Sequence, residues 1–142
     1  MAKTEKTTTE KTKSVKAATE KPAPKPKRIP AQVAHAVTAA DDKQAVNIVV
    51  LDLRKSAGFT DFFVIASGTN TRQVRAIADA VMERLAADGV KPAYVEGYDR
   101  SEWILLDYFD FIVHVFAPET RVFYDLERLW GNAERTEVPA AR

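Results

Sequence analysis

The side chains that could carry chemistry in this chain are few, and their spacing suits little of it. Cysteine is absent, which removes thiolate nucleophiles, disulfides and cysteine-ligated zinc together. Metal-dependent transferases and nucleases converge two or three carboxylates on one ion, often as D-x-D or D-x-E on a strand, where alternate residues share a face. No strand here has that spacing: Asp107 and Asp110 are three residues apart, as are Glu96 and Asp99. Adjacent Asp41 and Asp42 fall near a helix end, where solvation or local hydrogen bonding is the ordinary reading. Only two histidines occur, His35 and His114. His114, inside FIVHVFA, reads as a packed or hydrogen-bonded strand histidine rather than a catalytic base, and there is no G-x-S-x-G nucleophile elbow. The segment ASGTN, residues 66–70, joins a strand to a helix N-terminus, a place where phosphate can bind. It lacks both G-x-G-x-x-G and the P-loop lysine, so it reads as a turn and cap. The expectation is a protein without catalytic residues, metal or cofactor, and not an enzyme.

A different chemistry is suggested by residues 96–108, EGYDRSEWILLDY, which combine Tyr98, Trp103 and Tyr108 with Glu96, Asp99, Glu102 and Asp107. Strand alternation places Trp103, Leu105 and Asp107 on one face and Glu102, Ile104 and Leu106 largely on the other. One of those faces must leave the core. Trp and Tyr are favoured anchors in protein interfaces, and carboxylates around them suit a partner rich in Arg and Lys. A Trp103 that simply fills the core satisfies the pattern equally well.

The elements that must position these residues follow from periodicity. Pro30 suits a first helical position, and Val33, Val37 and Ala40 recur at helical spacing after it. The apolar run VNIVVLDL, residues 46–53, predicts a strand covered on both faces. A turn at Ala57 and Gly58 leads to a second buried strand, DFFVIASG, residues 61–68. Next comes an amphipathic helix with Val74, Ile77, Ala78, Val81 and Leu85 on one stripe, capped by Asn70 or Thr71 and stopped at Gly89. Three shorter extended pieces, AYVEGY, WILLDY and FIVHVFA, are separated by residues 99–101 and the Phe109-Asp110 corner, as in two hairpins. Pro118 opens a last helix, PETRVFYDLERLW, expected to close the core with Val122, Leu126 and Leu129. The fold class is therefore α/β, a mixed sheet of about five strands flanked by helices.

Charge divides the chain. Residues 1–28 hold eight Lys, one Arg and three Glu, a net +6, against −5 for residues 29–142 and +1 for the whole. The first segment is Lys, Thr, Ala, Glu and Pro with almost nothing to bury, and is expected to be disordered. The divisions expected are a tail over residues 1–29, a domain over 30–133 and a frayed C-terminus over 134–142. An acidic domain is a poor sequence-independent phosphate binder, since that affinity comes from Lys and Arg displacing counterions. The tail is a solubilising segment or a loose tether to RNA. No apolar run approaches the roughly 20 residues of a membrane span, and no apolar h-region follows the N-terminus. A cytoplasmic setting is expected.

Several segments together resemble the RsfS/Iojap family of ribosomal silencing factors: VVLDL (49–53), TDFFVIASG (60–68), RQVRAIADAV (72–81), EGY (96–98), WILLDYFDFIVHVF (103–116) and YDLERLW (124–130). They fall in family order across nearly all of residues 31–133. The resemblance implies a nucleotidyltransferase-like fold without catalytic carboxylates. It also implies binding to ribosomal protein L-fourteen on the joining face of the large subunit. That would block association with the small subunit and lower translation when nutrients are short, with homodimers forming off the ribosome. Carried onto this chain, the binding surface centres on Glu96, Tyr98, Trp103, Leu105, Asp107 and Tyr108. One departure is Phe109, where the family commonly has Gly, at a corner where a positive φ would strain a Phe. The alternative reading is a residual nucleotidyltransferase or nucleotide-binding domain built on the Gly68 turn and the scattered aspartates.

Overall fold

The computed structural model describes residues 29–140 apart from Ala57. The lysine-rich segment expected to be disordered lies outside the described residues. In chain order the elements are α1 (Ala31–Asp42), β1 (Val46–Asp52), β2 (Phe62–Ser67), α2 (Thr71–Ala87), β3 (Tyr94–Glu96), β4 (Trp103–Asp107), β5 (Phe111–Phe116), α3 (Pro118–Tyr124), α4 (Leu126–Leu129) and β6 (Glu134–Glu137). The six strands form one sheet in the order β3-β4-β5-β2-β1-β6. Only β2 and β5 run parallel; the other neighbours are antiparallel.

The apolar runs of the central strands are long because both sides of the sheet are covered, and alternate residues serve different cores. Ile48, Val50, Phe62, Val64, Ala66, Phe111, Val113 and Val115 meet α1 and α2 on one side. Val49, Leu51, Phe63, Ile65, Ile112 and Phe116 pack on the other with Leu126 and, at its margin, Trp130. On α2 the buried residues are Val74, Ile77, Ala78, Val81 and Leu85, the predicted stripe. Asn70 caps it, its side chain accepting the Gln73 N–H at 2.9 Å, which satisfies one of the otherwise unpaired first-turn donors. The helices α1 and α2 are tied at both ends. Gln73 Nε2 donates to the carbonyls of Lys43 and Gln44 at 3.0 and 3.1 Å, and His35 and Arg84 both reach the Asp88 carboxylate. The Arg84 hydrogen bond, followed by that of His35, holds the Asp88 carboxyl below the usual carboxylate range. No helix among the described residues is long and apolar enough to cross a membrane.

Three expectations need correction. The sheet has six strands, because residues 134–137, expected to fray, pair along β1 as β6; the edge of β1 offers unpaired backbone groups that any extended segment can satisfy, whatever its side chains. Ile29, assigned to the tail, packs against the helix-side core. The last helix is not continuous: Asp125 takes a left-handed conformation, φ 48°, between α3 and α4. That break turns the stripe, so Leu126 is buried while Val122 and Leu129 stay exposed.

Candidate functional site

The strip of sheet nearest the β3 edge is not fully covered by α3, and it is here that most of the sequence-selected residues gather. Along β4 the burial alternates: Ile104 and Leu106 lie in the helix-side core, while Trp103, Leu105 and Asp107 are half-buried on the other face. The antiparallel register puts Glu96 opposite Leu105 and Tyr94 opposite Asp107, so these side chains share that face. The strip is therefore Tyr94, Glu96, Trp103, Leu105 and Asp107, apolar at its centre and acidic at its border.

Tyr98 and Tyr108 do not join it. Tyr108 is buried in the helix-side core, stacked on Phe111 at 4.9 Å, and burial pushes its hydroxyl up to about 12. Residue 108 lies one step beyond Asp107, so alternation turns it inward. Tyr98 packs against the same core; its hydroxyl donates to Asp79 at 2.8 Å and the Arg75 guanidinium lies over its ring at 5.2 Å. The Asp79 hydrogen bond raises the Tyr98 hydroxyl. Both tyrosines support the strip from behind. Arg75 extends that support, donating to Ser101 Oγ at 3.0 Å and to the Asp99 carbonyl at 2.8 Å, which fastens the β3–β4 connection to α2. Gly97, at φ 78°, makes the connection possible, because a Cβ there would collide with the Trp103 carbonyl.

Trp103 is held by rings on three sides. It stacks on Phe116 at 5.0 Å, meets Tyr124 of α3 at 4.6 Å and lies beside His114. Its indole Nε1 donates to His114 Nδ1 at 3.0 Å. Burial holds the His114 imidazole down to about 3, so it is neutral at physiological pH and accepts that bond, the role expected of a packed strand histidine. The choice left open between a surface and a core Trp103 resolves as a half-buried ring packed against the core of that face.

Tyr124 carries the apolar surface onto α3, where Val122 and Phe123 are each 78 % exposed. Arg121 anchors the helix, donating to Ser67 Oγ at 3.0 Å and to Glu127 at 2.6 Å. These α3 residues and Tyr94 escaped the sequence reading. Tyr94 was signalled by its two-residue spacing from Glu96. The α3 residues carried no such signal, because their helical spacing suits a core-facing stripe as well as an exposed one.

The β4–β5 corner bears out the concern over Phe109, which has φ 70°. The Asp110 N–H donates to the Tyr108 carbonyl at 2.8 Å, a γ-turn centred on Phe109. Asp107 Oδ1 accepts the Phe109 N–H at 2.8 Å and Thr60 Oγ1 donates to the Phe109 carbonyl at 2.8 Å, so neighbouring elements hold the strained residue in place. At the Gly68 turn the backbone donors are engaged: Gly68 N–H bonds the Phe116 carbonyl and Thr69 N–H bonds Gln73 Oε1. Among the described residues no three His, Asp or Glu side chains cluster so as to hold a metal ion.

Residues 26–142 match the family model described as "Ribosomal silencing factor during starvation". The chain is 39% identical over 103 residues to the "Ribosomal silencing factor RsfS" of Halalkalibacterium halodurans, covering 72% of this chain and 88% of that protein. It is 32% identical over 97 residues to the "Mitochondrial assembly of ribosomal large subunit protein 1" of Mus musculus, covering 66% of this chain and 42% of that longer one. A crystal structure of a Chromobacterium violaceum protein superposes with a TM-score of 0.69 at 35% identity, covering 78% of this chain and 93% of that one. The family match spans the whole described fold, strip and α3 included, and the chain belongs to the ribosomal silencing factor family, RsfS.

Proposed function

We propose that this protein silences ribosomes by docking the Glu96, Trp103, Leu105 and Asp107 strip on ribosomal protein L-fourteen of the large subunit, so that the small subunit cannot join. The observation that carries this reading is the strip itself: a half-buried Trp103, hydrogen-bonded to His114, with Leu105 beside it and carboxylates at the border. Aromatic and aliphatic groups supply the desolvated contact, and the carboxylates select a basic surface. The family's description and the mouse relative's name, which mention ribosomal silencing and a ribosomal large subunit, support the choice of partner. Silencing is stoichiometric, needs no turnover or cofactor, and serves nutrient limitation in the cytoplasm; off the ribosome the protein pairs with a second copy. The basic segment of residues 1–28 adds a weak, salt-sensitive contact to RNA.

The test is binding of the full chain to purified large subunits. Trp103→Ala should weaken it about thirtyfold, the roughly 2 kcal/mol expected of a central anchor. A folded Trp103→Ala variant that binds as tightly as the parent would remove this reading.

A further inference from the structure

His114 is a buried ionisable group that the proposed docking does not itself use. It stands opposite Leu105 in β4 and level with Ile65 in β2, on the face of the sheet that carries the strip. Phe63 meets its ring edge-on at 4.4 Å, and the Phe116 ring lies nearly parallel to it at 6.1 Å. The imidazole is therefore walled in by aromatic rings and 3 % exposed. An indole N–H only donates. The 3.0 Å contact with Trp103 Nε1 thus makes Nδ1 the acceptor and leaves the proton on Nε2. Nε2 has no hydrogen-bond partner among the described residues.

A buried N–H without a partner is unfavourable, and an apolar side chain of similar size would remove that penalty. Packing alone is thus a poor reason for histidine at this position. What the imidazole supplies, and a leucine would not, is the bond it accepts from Trp103.

We infer that His114 is a positioning residue: by accepting the hydrogen bond of the Trp103 indole N–H it fixes which edge of that ring the strip presents to the ribosomal protein. The inference rests on the docking proposed above. Phe116 and Tyr124 restrict the tilt of the indole plane, whereas ring contacts discriminate poorly between the two orientations related by a half-turn about the Cβ–Cγ bond, which keep the plane and exchange its edges. The hydrogen bond distinguishes them, because it is satisfied only with Nε1 turned inward. The partner then meets the same edge of Trp103 in every copy, and the ordering cost of docking is reduced.

The test compares His114→Leu, His114→Asn and His114→Gln in the full chain. Asn sets an acceptor near the place of Nδ1, Gln near that of Nε2, and Leu offers none. The readouts are the Trp103 indole N–H resonance, assigned by its loss in Trp103→Phe, and affinity for purified large subunits. His114→Leu should keep its melting temperature, move the Trp103 resonance and bind about fivefold to tenfold more weakly, the worth of one hydrogen bond. His114→Asn should return both readouts toward the parent and His114→Gln should not. The Asn and Gln pair decides the matter should His114→Leu fail to fold. Parent-like binding by His114→Leu, or equal binding by the Asn and Gln variants, overturns the inference provided Trp103→Ala still weakens binding. If Trp103→Ala binds like the parent, the docking reading itself has failed.

Discussion

Phe109 and His114 are residues held against their own preferences, and each yields an expected outcome. Phe109 is 73 % exposed at φ 70°, so its ring contributes little to the core while its backbone bears strain of about 1 kcal/mol or more. Phe109→Gly should relieve most of that, less the entropy a glycine adds to the unfolded chain. A net gain of about 0.5–1 kcal/mol, seen as a rise of a few degrees in melting temperature, is expected; a lower melting temperature would show that the ring packs after all. His114 has a folded value of about 3 against its ordinary 6.5. Its contribution to stability is therefore complete above pH 6.5 and is lost as pH falls toward 3, at up to about 1.4 kcal/mol per unit. Denaturant titrations at pH 7 and pH 5 should show a larger loss for the parent than for His114→Asn, and equal losses would contradict the assignment. Both residues were legible in the sequence as questions: Phe109 as a departure from a family glycine, His114 as a histidine in an apolar strand. The bond to Trp103 was not, because residues eleven apart meet only through the β4–β5 register, which depends on the turn between them.

The β3–β4 connection does most to shape the strip, and Gly97 is its critical point. Any side chain there meets the Trp103 carbonyl at a φ of 78°. Gly97→Ala should cost about 2–4 kcal/mol, measured by chemical unfolding; a loss below about 1 kcal/mol would mean that the loop rearranges freely. The elements fixed by internal periodicity, α1, α2 and the central strands, are those the sequence predicts well. The helices bury a stripe at helical spacing, and the central strands are short apolar runs bounded by turns and buried on both faces. The elements it misplaces lie at the C-terminal end. Nothing in residues 118–130 marks the left-handed Asp125, since the same apolar spacing serves one helix or two. Strand β6 has an exposed, polar pattern, Glu134–Glu137, so its pairing is set by the free edge of β1 and leaves no hydrophobic trace. Alternation within β4 places Trp103, Leu105 and Asp107 on one face, as the structure does. It could not carry across Gly97 to Tyr98, whereas one step past Asp107 it turns Tyr108 inward with Ile104 and Leu106, so Tyr108 entered the expected surface through the resemblance alone.

For the molecule as a whole, the division between a basic N-terminal segment and an acidic domain, +6 against −5, makes electrostatics testable apart from shape. Glu96→Gln and Asp107→Asn keep size and, for Asp107, the oxygen that caps the Phe109 turn. Each should weaken large-subunit binding about twofold to fivefold at low salt, with the deficit shrinking as salt screens the parent's attraction. A deficit that does not depend on salt would assign these carboxylates to structure. The central claim concerns the assembled particle, and its most direct measurement is a sucrose gradient of purified large and small subunits mixed with increasing amounts of this protein. The account predicts that the two-subunit peak falls as the protein saturates the large subunit and co-sediments with it, and that Trp103→Ala needs about thirty times more protein to do the same. An undiminished two-subunit peak at saturating protein would contradict it.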